Sequence, residues 1–129
     1  MNIPGNIKYS ESNEWINIEG KIGTIGISDY AQDQLSDIVF AEVIVNEGDT
    51  INKGDAIATI ESVKAAADVY SPAGGKVLSV NEELGSTPEM INTDPYGTAW
   101  IIKIELSDPA ETDALLTASA YESLIQSHE

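Results

Sequence analysis

The sequence predicts a mainly β, α+β domain, and three observations carry that expectation. Short β-prone runs recur between turn signals such as Glu47-Gly48-Asp49, Lys53-Gly54-Asp55 and Ser71-Pro72-Ala73-Gly74-Gly75. Helical signals are few and flank the strands. The chain has 129 residues, 42% of them hydrophobic, which is enough to bury a core without disulfides or metal. No linker or low-complexity stretch divides it, so residues 1–129 are expected to form one domain.

Ile7-Lys8-Tyr9, Glu14-Trp15-Ile16-Asn17-Ile18 and Lys21 to Ile27 read as strands, the last two joined by a Glu19-Gly20 turn. Ser28-Asp29 offers an N-cap for a short helix through Leu35. Ile38 to Val45 is the longest β-prone run, followed by Thr50-Ile51 and Ala56 to Ile60. Asp68-Val69-Tyr70 and Lys76 to Val80 continue the strand pattern. Asn81 can cap a turn over Glu82-Glu83-Leu84, and Thr87-Pro88-Glu89 can open another through Met90-Ile91. Thr98 to Leu106 resumes as strand. Asp108-Pro109, an N-cap with proline at the first helical position, then starts a C-terminal helical extension over about 108–126. Trp15 and Trp100 read as core aromatics.

One lysine stands apart. Glu61-Ser62-Val63-Lys64-Ala65 lies in the middle of a predicted hairpin over about 56–70, with Gly54 ten residues before Lys64 and Gly74 ten after it. Arms of matched length meeting at a lysine suggest a projecting tip, where a long side chain is free to be modified and then to move. On the pentapeptide alone an idle surface lysine is the better reading, and it is the surrounding arms that favour an attachment point.

The charge balance narrows the partners. Six lysines face 22 acids, giving a formal charge of −16, so nucleic acid is excluded as a partner and a soluble monomer is expected. No apolar run reaches the ~20 residues of a membrane span, and the N-terminus lacks a secretory signal. These features predict a cytoplasmic protein. With no cysteine, neither a disulfide nor a CxxC redox site is possible. Conventional catalysis also lacks parts, because there is no arginine and the single histidine, His128, is the penultimate residue, where a frayed tail is expected. No segment follows a calcium-loop or phosphate-loop pattern, so no metal site is expected.

Ile22 to Ile27, Ser28 to Leu35, Asp37-Ile38-Val39-Phe40, Glu61-Ser62-Val63-Lys64-Ala65-Ala66, Ser71-Pro72 and Asp94-Pro95-Tyr96-Gly97 to Ile104 together resemble the H-protein family of the glycine cleavage system. The similarity runs from about Lys8 to Ile125. It implies a barrel-sandwich hybrid, as in lipoyl and biotinyl domains, and a lipoate joined by an amide to Lys64. It also implies a shuttle rather than an enzyme. The pyridoxal-phosphate glycine decarboxylase (P-protein) would load an aminomethyl group, the aminomethyltransferase (T-protein) would pass its carbon to tetrahydrofolate, and dihydrolipoamide dehydrogenase (L-protein) would reoxidise the arm. By the same resemblance, Glu61 serves recognition by the lipoate-attaching enzymes, and Ser12, Glu14 and Asp68 form the polar lining of a cleft that shelters the loaded arm. On the residues alone, Glu14 and Asp68 read equally well as solvated surface acids.

Three departures from the family pattern stand out. Asn13 occupies a position where histidine is common, the connection Glu42 to Gly48 is one residue longer, and Ala99 replaces a usual glycine. A biotin carrier has the same architecture but carries methionines beside its lysine, where this chain has Val63 and Ala65. The lipoyl domains of 2-oxo acid dehydrogenases have Asp before the lysine and lack the terminal helices. Two alternatives remain open: a lipoyl donor or relay for other enzymes, and a structural module with Lys64 unmodified.

Overall fold

The computed structural model describes residues 1–127, so His128 lies outside the described residues. In chain order the strands are β1 (Lys8–Tyr9), β2 (Glu14–Glu19), β3 (Ile22–Ile27), β4 (Ile38–Val43), β5 (Thr50–Ile51), β6 (Ala56–Ser62), β7 (Ala66–Tyr70), β8 (Gly75–Val80) and β9 (Ile102–Leu106). The helices are α1 (Asp29–Leu35), α2 (Glu83–Ser86), α3 (Met90–Thr93) and α4 (Ala118–Ser127), with a 3-10 turn at Pro109–Ala114. One sheet has the order β1-β2-β3-β9-β8-β5 and the other β4-β6-β7, and within both the neighbouring strands pair antiparallel. Both sheets are open. The mostly-sheet architecture with short helices is the predicted class, without closure into a barrel.

Local chemistry explains how the chain passes between the sheets. Asn46–Asp49 and Asn52–Asp55 form two turns of the same design, with Gly48 at φ 92° and Gly54 at φ 91°, where a Cβ would strain the backbone. In each, the aspartate carboxylate accepts from the backbone N–H of the first asparagine at 2.8 Å. The short strand β5 runs between them and delivers the chain to the lysine hairpin.

The main core is aliphatic, centred on Ile16, Ile25, Ile57, Ile60, Ile102 and Ile104. A second cluster forms where β1 meets the C-terminal segment: Tyr9 and Tyr121 stack with ring centroids 4.5 Å apart, beside Trp15 and Ile125. Tyr9 and Leu116 exchange backbone hydrogen bonds at 2.9 and 2.8 Å. Tyr121 and Ile125 share one face of α4, and their burial contributes roughly 1.5–3 kcal/mol each. That outweighs the weak intrinsic tendency of a ten-residue segment to be helical.

Several boundaries differ from expectation; β6 runs on to Ser62 and β7 starts at Ala66, each two residues nearer the lysine than expected. The predicted run 38–45 stops as strand at Val43, because Val45 and Asn46 lead into the first Asn-Asp turn. The predicted strand 98–106 begins only at Ile102: Asn81 captures the carbonyls of Thr98 and Trp100 through its amide at 2.9 and 2.7 Å, and residues 94–100 fold as turns. That buried Asn81 also accepts from Glu83 N–H at 3.3 Å, so α2 starts one residue later than expected. Trp15 is fully within the core, whereas Trp100 is half-buried with Lys103 Nζ 5.1 Å from its ring centroid.

Candidate functional site

The lysine turn is held by its own serine. Ser62 Oγ accepts from the N–H groups of Lys64 and Ala65 at 3.2 and 3.0 Å, while Ser62 N–H donates to the Ala65 carbonyl at 2.7 Å. Val63 N–H donates to the Asp37 carbonyl at 3.0 Å, tying the tip to the start of β4. The backbone is thus fixed while the side chains of Val63 and Lys64 stand in solvent. Glu61, also exposed, pairs with Ala66 on the last rung before the turn.

Glu14 has a different setting. It is 2% exposed, and its Oε1 accepts from Ser10 Oγ at 2.6 Å and from Ser12 Oγ at 2.5 Å. Oε2 accepts from Tyr70 N–H at 3.2 Å, and Ser10 Oγ in turn accepts from Glu14 N–H at 3.0 Å. Burial pushes this carboxyl above the 4.5 of an ordinary glutamate, and the hydrogen bonds from Ser10, Ser12 and the backbone pull it partly back. Glu14 is therefore no solvated surface acid. Asp68 is one: it is exposed, and its carboxylate accepts from Thr59 Oγ1 at 3.5 Å.

Two clefts meet at the Ser12–Glu14 wall. The larger, about 540 Å³, includes Tyr9, Ser10, Lys53, Tyr70 and Leu116; the smaller, about 210 Å³, includes Ile27, Ala31, Leu35, Ile60 and Asp68. Strand geometry shows which of them lies nearer the lysine turn. Along β7, at ~3.3 Å per residue, Asp68 is roughly 7 Å and Tyr70 roughly 13 Å from Ala66, the first strand residue after the lysine turn. The smaller cleft, which Asp68 lines, is therefore the one nearer the hairpin tip. It brings Ser12, Glu14 and Asp68 together with the apolar side chains of Ile27, Ala31, Leu35 and Ile60.

Residues 7–128 match the family described as glycine cleavage H-protein. The chain belongs to that family. It is 54% identical over 126 residues to the glycine cleavage system H protein of Acidobacterium capsulatum, covering 98% of this chain and 96% of that one. It is 50% identical over 124 residues to the corresponding protein of Carboxydothermus hydrogenoformans, covering 96% and 95% of the two chains. The crystal structure of a glycine cleavage system H protein from Mycobacterium marinum superposes with a TM-score of 0.86 at 32% identity, over 96% of this chain and 99% of that one. The H-protein match spans every segment that builds the lysine turn and both clefts.

Sequence reasoning missed Ser10, which the turn between β1 and β2 folds back against Glu14: Ser10 N–H donates to the Glu14 carbonyl at 2.8 Å and Asn13 N–H to the Ser10 carbonyl at 3.2 Å. It also read Asn13 only as a lost imidazole. In the structure Asn13 has φ 75°, a left-handed conformation that asparagine tolerates better than most residues, so it shapes the turn before Glu14. Among the described residues, no helix is long and apolar enough to cross a membrane.

The raised carboxyl of Glu14 makes a pH prediction. The folded chain holds this proton at a pH where the unfolded chain has released it. Its contribution to stability therefore falls as pH rises through the interval just above 4.5. Urea midpoints of the native protein and Glu14→Gln, compared across that interval, should diverge in slope. A constant difference at every pH would contradict the assignment.

Proposed function

We propose that the protein is a cytoplasmic lipoyl carrier of the glycine cleavage system rather than an enzyme in its own right. Lys64 is the attachment site, and the arm takes the aminomethyl group of glycine from the pyridoxal-phosphate decarboxylase to the aminomethyltransferase. Dihydrolipoamide dehydrogenase then restores it. Glu61 is a recognition contact for the lipoate-attaching enzymes.

The observation that carries this reading is the pairing of an exposed lysine on a rigid turn with a small cleft about one strand away, walled by a buried, hydrogen-bonded glutamate. The residues suit a lipoyl group. Acylation removes the lysine charge, Ile27, Ala31, Leu35 and Ile60 give its apolar body a floor, and Ser12, Glu14 and Asp68 face its polar end. When attached, the dithiolane supplies the sulfur that accepts and releases the aminomethyl cargo. Glu14 supplies an acceptor for the cargo's amine, and its burial strengthens a charge-assisted hydrogen bond there. Tethering replaces diffusion between partner active sites by encounters at high effective concentration. The absence of cysteine leaves the chain no thiol of its own to exchange with a lipoyl disulfide.

Reconstitution tests the reading. The lipoylated protein, mixed with the decarboxylase, the aminomethyltransferase, glycine and tetrahydrofolate, should support glycine-dependent ammonia release. Failure to do so, with lipoyl transfer to another acceptor protein intact, would replace the shuttle by a relay. Glu14→Ala should shorten the lifetime of the aminomethyl-loaded arm roughly tenfold or more, the scale of one charged hydrogen bond. An unchanged lifetime would remove Glu14 from the cleft's function.

A further inference from the structure

Besides β6 and β7, two separate segments line the smaller cleft. Ala31, Gln34 and Leu35 of α1 form one wall, and Ser12, Asn13 and Glu14 form the other. One hydroxyl from the C-terminal helix touches both. Tyr121 Oη lies 2.8 Å from Asn13 Oδ1 and 2.6 Å from Ser28 Oγ, the N-cap of α1.

The donors can be ordered. The acceptor Asn13 Oδ1 takes the single proton of the tyrosine hydroxyl, so Ser28 Oγ–H must donate to Tyr121 Oη. Ser28 Oγ itself accepts from Ala31 N–H at 3.2 Å. A directed chain therefore runs from Ala31 through Ser28 and Tyr121 to Asn13, each bond polarising the next. It ends on the residue between Ser12 and the buried Glu14. Tyr121 is fully buried, its hydroxyl is pushed up to about 12 chiefly by burial, and it remains a protonated donor at neutral pH.

We propose that Tyr121 is a positioning residue of the arm cleft: its hydroxyl clamps the α1 wall to the turn that carries Ser12 and Glu14, with Asn13 as the receiving anchor. The two segments are also joined by a backbone bond, from Ser28 N–H to the Asn13 carbonyl at 2.9 Å. The hydroxyl therefore adds orientation more than connection. It fixes the side chain of Asn13 while the left-handed backbone there turns Ser12 toward Glu14. The C-terminal extension is thereby part of the site, although α4 lines neither of the two clefts that meet at Glu14.

The proposal rests on the reading of Glu14 as the acceptor for the loaded arm, and the test separates the two. The lifetime of the aminomethyl-loaded, lipoylated protein is measured for Tyr121→Phe, Asn13→Gly, the double variant, Glu14→Ala and Ile125→Ala. Tyr121→Phe keeps the stack on Tyr9, and Asn13→Gly keeps the positive φ without the acceptor. Each should shorten the lifetime about fivefold, the order of one neutral hydrogen bond, and the double variant no further. Ile125→Ala, which removes packing in the same cluster away from the cleft, should lower the unfolding midpoint and leave the lifetime unchanged. If Glu14→Ala shortens the lifetime but Tyr121→Phe and Asn13→Gly do not, the clamp is wrong and the arm reading stands. Additive effects of the pair, or a lifetime that simply follows stability in all variants, also overturn the clamp. If Glu14→Ala has no effect, the arm reading falls and the proposal falls with it.

Discussion

Lys64→Arg should abolish carrier activity while leaving the fold intact. Guanidinium keeps the positive charge but offers no amine to be acylated, and the side chain it replaces stands in solvent on a turn held by Ser62 and Asp37 rather than by the lysine. Removing it takes away no packed contact, so the unfolding midpoint should move by no more than the ~0.5 kcal/mol typical of surface changes. Glycine-dependent ammonia release in the reconstituted system should fall to background. Retained activity, or an unfolded variant, would show that Lys64 has a different task.

The largest expected effect on stability lies elsewhere, at Gly75. This residue opens β8 between two neighbours, opposite Ile51 of β5 and Leu106 of β9. A Cβ there would sit 2.2 Å from the Glu105 carbonyl oxygen and 2.9 Å from its carbon, both backbone atoms that no side-chain rotation can move. Gly75→Ala must therefore spread β8 from β9, at a cost of about 3 kcal/mol or more, a large part of a domain's ~5–15 kcal/mol. Gly85→Ala provides the contrast. It sits in α2 with nothing within 4 Å of its added carbon, so the helix preference for alanine should stabilise the fold by about 0.5–1 kcal/mol. Urea midpoints of opposite sign for the two variants would bear this out, and equal shifts would contradict the steric argument.

How much of this was legible before the structure depended on the range of the interactions. The Asn-x-Gly-Asp turns, the Ser28 cap and the Asp108-Pro109 start are local chemistry, and the sequence displays them within four residues. The lysine turn is likewise local, bracketed by strands whose alternation is visible. The start of β9 was not legible, because whether residues 98–101 join the sheet depends on Asn81, a side chain in another element. Glu14 illustrates the same limit at the site. Its spacing from Ser10 and Ser12 is on the page of the sequence, but a third hydrogen-bond donor to its carboxylate comes from the backbone of Tyr70, 56 residues away. The contact of Tyr121 with Asn13 spans 108 residues, and no periodicity in either segment announces it. Asn13 departs from the family's common histidine, yet the structure gives it two tasks of its own: a left-handed turn and an acceptor for the terminal helix.

The central claim is that this chain carries its chemistry on Lys64. Its most direct test is the intact mass of the protein purified from its own organism, followed by mapping of the peptide that contains residues 61–66. The expected result is an increment of one lipoyl group, located on Lys64 and absent from the Lys64→Arg variant. An unmodified mass, a biotinyl increment, or a lipoyl group on any of the other five lysines would contradict it.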